Sequence, residues 1–355
     1  MNAKQLRLHA GVGCALLAAA LFGASTPFAK SLVGEISPLL LAGLLYAGSG
    51  LGLSLWLLGR RMAGRVSGDA PLAARDLPWL SGAVVFGGVL APALLMFGLQ
   101  HTAAADASLL LNLESVLTAV IAWGVFRENV DRRIFIGMMV IVLGGVLLSW
   151  NPQARGSVSW GALSIAAACL CWAVDNNLTR VVSSGDPVQI AAIKGAVAGT
   201  INVSLALALG ASLPAWGPLL GAATIGLLGY GVSLVMFVLA LRHLGTARTG
   251  AYFSTAPFVG ASLSLLLLGE SPTTMFWIAG GLMAAGVWLH VSERHTHEHT
   301  HEDLQHDHRH RHDAHHQHEH DFEWDGAEPH THHHRHRPMT HSHPHYPDMH
   351  HRHRH

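Results

Sequence analysis

Ten times along this chain there is an apolar run of about 17 to 25 residues, the length a helix needs to cross the hydrocarbon core of a bilayer. The runs fall at approximately 10–29, 38–58, 79–99, 103–126, 133–150, 160–181, 188–210, 218–241, 247–268 and 273–291. Inside lipid every backbone polar group has to be satisfied by the segment or its neighbours, so runs of this length become helices. Half of the 355 residues are hydrophobic and 12% are charged, although the chain ends in a very polar stretch. This composition excludes an ordinary soluble domain, and the predicted class is an all-α polytopic membrane protein of ten transmembrane helices. Pro92 and the pair Gly144 and Gly145 lie inside runs, which membrane helices tolerate. Gly195 and Gly199 have the spacing that lets two helices approach closely.

Acidic and basic residues balance at 22 each, so no overall charge draws the chain to nucleic acid. Local charge is more informative. With a cytoplasmic N-terminus, the inner segments hold Lys4, Arg7, Arg60, Arg61, Arg65, Arg75, Arg127, Arg132, Arg133, Arg180, Arg242, Arg248 and Arg294, and the outer loops hold Lys30 and Arg155. That asymmetry predicts a multi-pass protein of the cytoplasmic membrane with both termini inside, its first partner being the lipid bilayer. Lys4 and Arg7 before a run ending near Ala24 and Ser25 also fit a cleavable signal, but a retained helix keeps the basic loops on one side. Cys14, Cys169 and Cys171 lie in apolar stretches without paired spacing and read as packing residues; the other reading for Cys169 and Cys171 is a soft-metal pair.

The two halves of the chain resemble each other. Gly98-Leu99-Gln100-His101 matches Ala240-Leu241-Arg242-His243, Phe126-Arg127-Glu128 matches Leu268-Gly269-Glu270, and Gly144 matches Gly286, all at one offset. Near the start of each half, Phe22-Gly23 and Ser37-Pro38 pair with Trp172-Ala173 and Asp186-Pro187. Five helices per half is an odd number, so the second repeat runs upside down relative to the first. Inverted repeats are the construction of alternating-access transporters, with substrate held near the midplane. The predicted units are residues 10–150 and 156–292, followed by a tail at 293–355.

At these residues the chain resembles the EamA family of the drug/metabolite transporter superfamily. The resemblance covers about residues 10 to 292 and includes the acidic endings Glu128 and Glu270, which it implies hold helix ends or gates. The family often has a proline within the helix preceding that glutamate. Pro257 supplies it in the second repeat, whereas the first reads Asn112-Leu113-Glu114-Ser115.

From Arg294 onward the composition changes, and 24 of the 28 histidines lie between His295 and the C-terminus. Such a segment has too little apolar surface to build a core, so a disordered tail is expected. His295, His297, His299, His301, His306, His308, His310, His332, His333 and His334 are its candidate ligands for nickel, cobalt, zinc or copper. An affinity tag and a passive polar tail fit less well, because the histidines span about sixty residues and alternate with Asp, Glu and Arg. An EamA-like body with this tail resembles nickel and cobalt resistance exporters, and the resemblance implies the cargo where composition implies only a divalent transition metal.

Ionisable groups within the runs are costly and become functional candidates. They are Asp106, Glu114, Asp175 and Lys194, with Lys30 near the outer end of the first run. On one helix Asp106 and Glu114 would lie two turns apart and line one wall. Glu114 is the sharpest candidate, since the other repeat has Ala256 there; a structural hydrogen-bonded carboxylate is the competing reading. Asp175 and Lys194 are expected to form a charge pair, although Asp175 also offers oxygen to a cation on a transport pathway; Asn112, Asn176 and Asn177 offer neutral oxygens, with interhelical hydrogen bonding their commoner use. His101 and His243 occupy matching helix ends and read as interfacial residues first and gate ligands second.

The expected function is outward transport of divalent nickel, and of cobalt second, by alternating access. No catalytic residue is assigned, no resident cofactor is expected, and a homodimer is an open possibility. Without a GxxxxGK[ST] motif, a proton gradient rather than ATP is the expected energy source. Two rivals are an exporter of amino acids or metabolites with a metal-buffering tail, and a membrane-anchored metal store or sensor.

Overall fold

The computed structural model describes residues 3–64, 72, 74–126, 132–151, 157–182, 185–244, 246–291, 296–301, 304–310, 330–336 and 339–344. Helices stand at all ten expected places. They are α1 (Ala3–Leu32), α2 (Pro38–Met62), α3 (Leu77–Ala83), α4 (Ala91–His101), α5 (Ala104–Leu110), α6 (Leu113–Phe126) and α7 (Arg132–Ser149) in the first half. The second half has α8 (Trp160–Val182), α9 (Pro187–Ala208), α10 (Trp216–Ile225), α11 (Ser233–Leu244), α12 (Thr246–Phe253), α13 (Ala256–Leu268) and α14 (Thr274–Val291). Between the halves, β1 (Trp150–Asn151) pairs antiparallel with β2 (Ser157–Val158). Six stretches, 10–32, 38–62, 74–101, 104–125, 187–208 and 216–240, are long and apolar enough to cross a membrane, while 135–149, 256–268 and 274–289 are apolar but shorter. α8 has the length, but Asp175-Asn176-Asn177 makes its second half polar.

The irregularities repeat along with the helices. Wider, π-type turns at Val84–Leu90 join α3 to α4, and the same turns at Gly226–Val232 join α10 to α11. The fourth run is not the single helix expected: it breaks at Leu111 and Asn112, and the ninth breaks at Ser254 and Thr255. In the second repeat Pro257 lacks the N–H that would continue a helix from upstream. In the first repeat, polar side chains take the freed carbonyls instead. Asn112 Nδ2 donates to Leu109 O at 2.9 Å, and Ser115 Oγ donates to Asn112 O at 2.8 Å. Asp106 and Glu114 therefore stand on two successive half-helices, α5 and α6, rather than on one continuous helix.

Small residues let equivalent helices of the two halves meet. A Cβ on Gly195 would lie 2.5 Å from Gly50 N, one on Gly199 2.4 Å from Ala47 N, and one on Gly43 2.6 Å from Val203 N. The ascending order on one helix against the descending order on the other makes α2 and α9 antiparallel. At their shared end Asp186 accepts from Val188 N at 2.9 Å, capping α9, and pairs with Arg60 at 2.5 Å. α7 and α14 repeat the arrangement: Gly144 faces Ala279 and Met283, and Gly286 faces Gly137 and Ile141. α1 packs on α11 and α13 just as α8 packs on α4 and α6. The halves are thus related by a pseudo-two-fold axis that inverts one relative to the other. Gly199→Leu is expected to lower stability by about 1–3 kcal/mol, as overpacking does, because backbone rather than a movable side chain occupies the space. Thermal unfolding of the purified protein in detergent, with an unchanged midpoint, would refute this contact.

The tail, from Arg294, is a unit of its own. Among its described residues the backbone pairs in two ladders. β3 (Thr296–His301) pairs antiparallel with β6 (Met339–Pro344), and β4 (Leu304–His310) with β5 (His330–His336). A shortage of apolar residues prevents a packed core, but ladder hydrogen bonds come from the backbone and need none. The register sets His297 opposite His343, His299 opposite His341, His306 opposite His334, His308 opposite His332, and His310 opposite His330.

Candidate functional site

The polar half of α8 faces three ways, because successive helical residues turn by about 100°. Asp175 points to α9, where Lys194 Nζ donates to its two oxygens at 2.6 and 2.7 Å. Thr179 Oγ1 adds a hydrogen bond to Asp175 Oδ1 at 2.7 Å. Both charged residues are buried, at 6% and 4% exposure, so the expected pairing is present and closed to water. Asn176 points to α6 and donates from Nδ2 to Glu114 Oε1 at 2.8 Å. Asn177 bonds back to Ala173 O at 2.8 Å and reaches Thr118 O at 3.5 Å.

The π-type turn at Val84–Leu90 lies over this cluster. A Cβ on Gly87 would fall 1.8 Å from Asp175 Oδ2, so the close approach of turn and carboxylate requires glycine. The wider turn leaves carbonyls to be satisfied from outside the helix. Gly87 O accepts from Tyr46 OH at 2.7 Å and from Trp172 Nε1 at 3.1 Å. Asn202 Nδ2 reaches Gly88 O and Val89 O, each at 3.3 Å. Around Phe22 the rings of Trp172, Tyr230 and Phe253 lie with centroids 5.9, 5.9 and 5.5 Å away, and Tyr46 meets Tyr230 at 5.4 Å.

Of the sequence candidates, Glu114, Asn176 and Asp175 meet along α8. Asn112 is buried but turned toward α14, with Met283 Sδ 3.8 Å from its Nδ2, and among the described residues its Oδ1 has no hydrogen-bond partner. Asp106 belongs to a different group, near Glu270, whose carboxylate accepts from Ala104 N at 2.7 Å and Ala105 N at 2.8 Å. His101 is exposed at the end of α4, with Nδ1 2.9 Å from Phe97 O and its ring 4.6 Å from that of Phe97, an arrangement that fits an interfacial residue. Glu128 and His295 lie outside the described residues, and so does the side chain of His243. Among the described residues no three His, Cys, Asp or Glu side chains converge as a metal site. Sequence reasoning did not find Tyr46, Thr179 or Gly87. The only trace of Gly87 was its repeat partner Gly229, which sits on Ser25 as Gly87 sits on Asp175.

The EamA-like transporter family matches residues 9–150 and 159–292, most of the helical body and both repeats. The chain belongs to that family. The EamA-like body is 29% identical over 207 residues to an uncharacterized transporter of Methanothermobacter thermautotrophicus, covering 57% of this chain and 60% of the relative. It is 25% identical over 205 residues to the uncharacterized transporter YyaM of Bacillus subtilis, covering 54% and 65%. The chain thus spans about three fifths of the length of these curated relatives. A third EamA-like comparison, an uncharacterized transporter of Synechocystis, is 23% identical over 295 residues and covers 76% of this chain and 86% of the relative. A solved structure titled only as a protein crystal structure has the same fold, with a TM-score of 0.57 at 18% identity, covering 81% of this chain and 97% of that one. As the family and the apolar helices require, this EamA-like chain is a multi-pass membrane protein.

Proposed function

We propose that this chain exports a divalent transition-metal cation, nickel first and cobalt second, in exchange for protons. The observation that carries the reading is Glu114. It is a carboxylate inside the membrane body, and among the described residues its hydrogen-bond partner is the neutral amide of Asn176, not a cation. Asp175 is already neutralised by Lys194, which leaves Glu114 as the carboxylate of the α8 cluster able to take up a positive charge. A half-turn of the Asn176 amide presents Oδ1 in place of Nδ2, so a dehydrated cation would meet two oxygens in place of the Asn176–Glu114 hydrogen bond. A proton and a metal compete for the same carboxylate oxygen, and that competition couples their opposite movements. The orientation that suits export has both termini and the tail in the cytoplasm, where the histidines raise the local concentration of metal.

A second reading rests on the ring cluster beside the same carboxylates. Phe22, Tyr46, Trp172 and Tyr230 fit an organic ammonium substrate, with the tail as metal buffer only.

Efflux from metal-loaded cells decides between them. The intact chain, and one truncated after Glu293, are both expected to lower cell nickel, the truncated form less so at low loading. No nickel efflux by either sinks the metal reading, and a bound but untransported metal returns the store or sensor. The intact protein is expected to bind several nickel ions more than the truncated one at neutral pH, and to lose this excess below about pH 6, because protonated imidazole cannot ligate. A calorimetric titration in which the two forms bind equally removes the tail from the argument.

A further inference from the structure

The pseudo-two-fold axis makes contacts come in pairs, and the pair that flanks Glu114 is unequal. α5 packs along α13, whereas α12, the counterpart of α5, is not packed in this way on α6 among the described residues. Ser108 on α5 is fully buried, and its Oγ lies 2.8 Å from where a Cβ on Gly260 would sit. Gly250, the matching residue of α12, would carry a Cβ into open space among the described residues. On the α5 side the backbones nearly touch, since a Cβ on Gly23 would fall 2.3 Å from Ala256 O. The matching residues on the other side are Ala173 and Glu114. Among the described residues, one end of the helical body is therefore closed by helix contact, and the opposite end lacks that contact on the side of Glu114.

The closed end carries a charged fastening. Glu270, just beyond α13, holds both N–H groups at the start of α5, those of Ala104 and Ala105, at 2.7 and 2.8 Å. Lys30 on α1 donates to Leu99 O and to Thr102 O, the latter at 2.8 Å, and so ends α4. Gly161, in the first turn of α8, completes the seat, because a Cβ there would meet Thr102 Oγ1 at 2.2 Å. The turn between α4 and α5 is thus gripped from both repeats, by groups of opposite charge that lie within electrostatic range of each other. α5 then leads through the break at Leu111 and Asn112 to Glu114.

We infer that Glu270 and Lys30 are positioning residues that clamp α5 shut at this end, and that their release opens the path to Glu114 from that side while the opposite end closes. An ordinary helix cap would steady one helix. This one joins α5 to the loop of the other repeat on the side where α5 packs along α13 and α12 has no matching contact with α6 among the described residues.

The test reads accessibility on both sides and needs no knowledge of the cargo. In a background with Cys14, Cys169 and Cys171 replaced by alanine, Ser108→Cys and Gly250→Cys are probed separately with a membrane-impermeant maleimide, each from the side its helix faces. With the clamp intact, Ser108→Cys is expected to react slowly and Gly250→Cys quickly. Adding Glu270→Gln, which leaves one acceptor oxygen and no charge, is expected to speed the first by about tenfold or more and to slow the second. Lys30→Met should shift both the same way, and Lys30→Arg should not. Glu270→Asp, shorter by one methylene, gives the same comparison if the amide variant does not fold. Faster labelling at both positions would mean a loosened fold and would overturn the clamp, as would two unchanged rates. A reciprocal shift without nickel efflux upholds the clamp and removes only the proposed cargo.

Discussion

Glu114→Gln is expected to reach the membrane at the wild-type level and to lose metal efflux together with its dependence on external pH. The amide keeps the shape of the side chain and still accepts from Asn176 Nδ2, so the 2.8 Å contact between α8 and α6 survives. It has lost the charge that a cation needs to offset its hydration, and it has no proton to exchange near neutral pH. Glu114→Asp keeps the charge but draws it back by one methylene from Asn176, and partial efflux is expected. Nickel counterflow in proteoliposomes under an imposed pH step measures both. Wild-type rates in a well-folded Glu114→Gln protein would eliminate the carboxylate exchange and favour the organic substrate.

Asp175→Asn should act on folding instead. It leaves the Lys194 ammonium buried at 4% exposure with Thr179 and a neutral amide as its partners. Removing one member of a buried ion pair costs about 3–5 kcal/mol, enough to deplete folded protein in the membrane. Lys194→Met alone should harm the protein in the same sense, by leaving the carboxylate without its counter-ion. The two together remove both charges and should restore most of the folded protein, because their effects are coupled through one contact. Efflux should return with it, since Glu114 is untouched. A well-folded double variant without efflux would place Asp175 on the transport path rather than in its frame.

The sequence by itself determined the membrane class, the places of the helices and the repeat, because run length and hydropathy answer to the bilayer and not to particular neighbours. It also marked Glu114 and the pairing of Asp175 with Lys194, since charge in lipid is costly wherever it points. Only the tertiary structure decided what those groups meet. The half-helix break at Asn112 separated Asp106 from Glu114, and no proline announced it, because side-chain hydrogen bonds to Leu109 O and Asn112 O do the work of one. The π-type turn that sets Gly87 on Asp175 depends on partners about 40 and 85 positions away in sequence, Tyr46 and Trp172, which no local pattern reveals. Glu270 was read as a helix-end acid, but which helix it ends could not be known before folding brought α5 from the other repeat beneath it. In the tail, composition correctly describes a chain without a core, but backbone pairing is insensitive to composition, and the register that faces histidine with histidine belongs to the folded ladder.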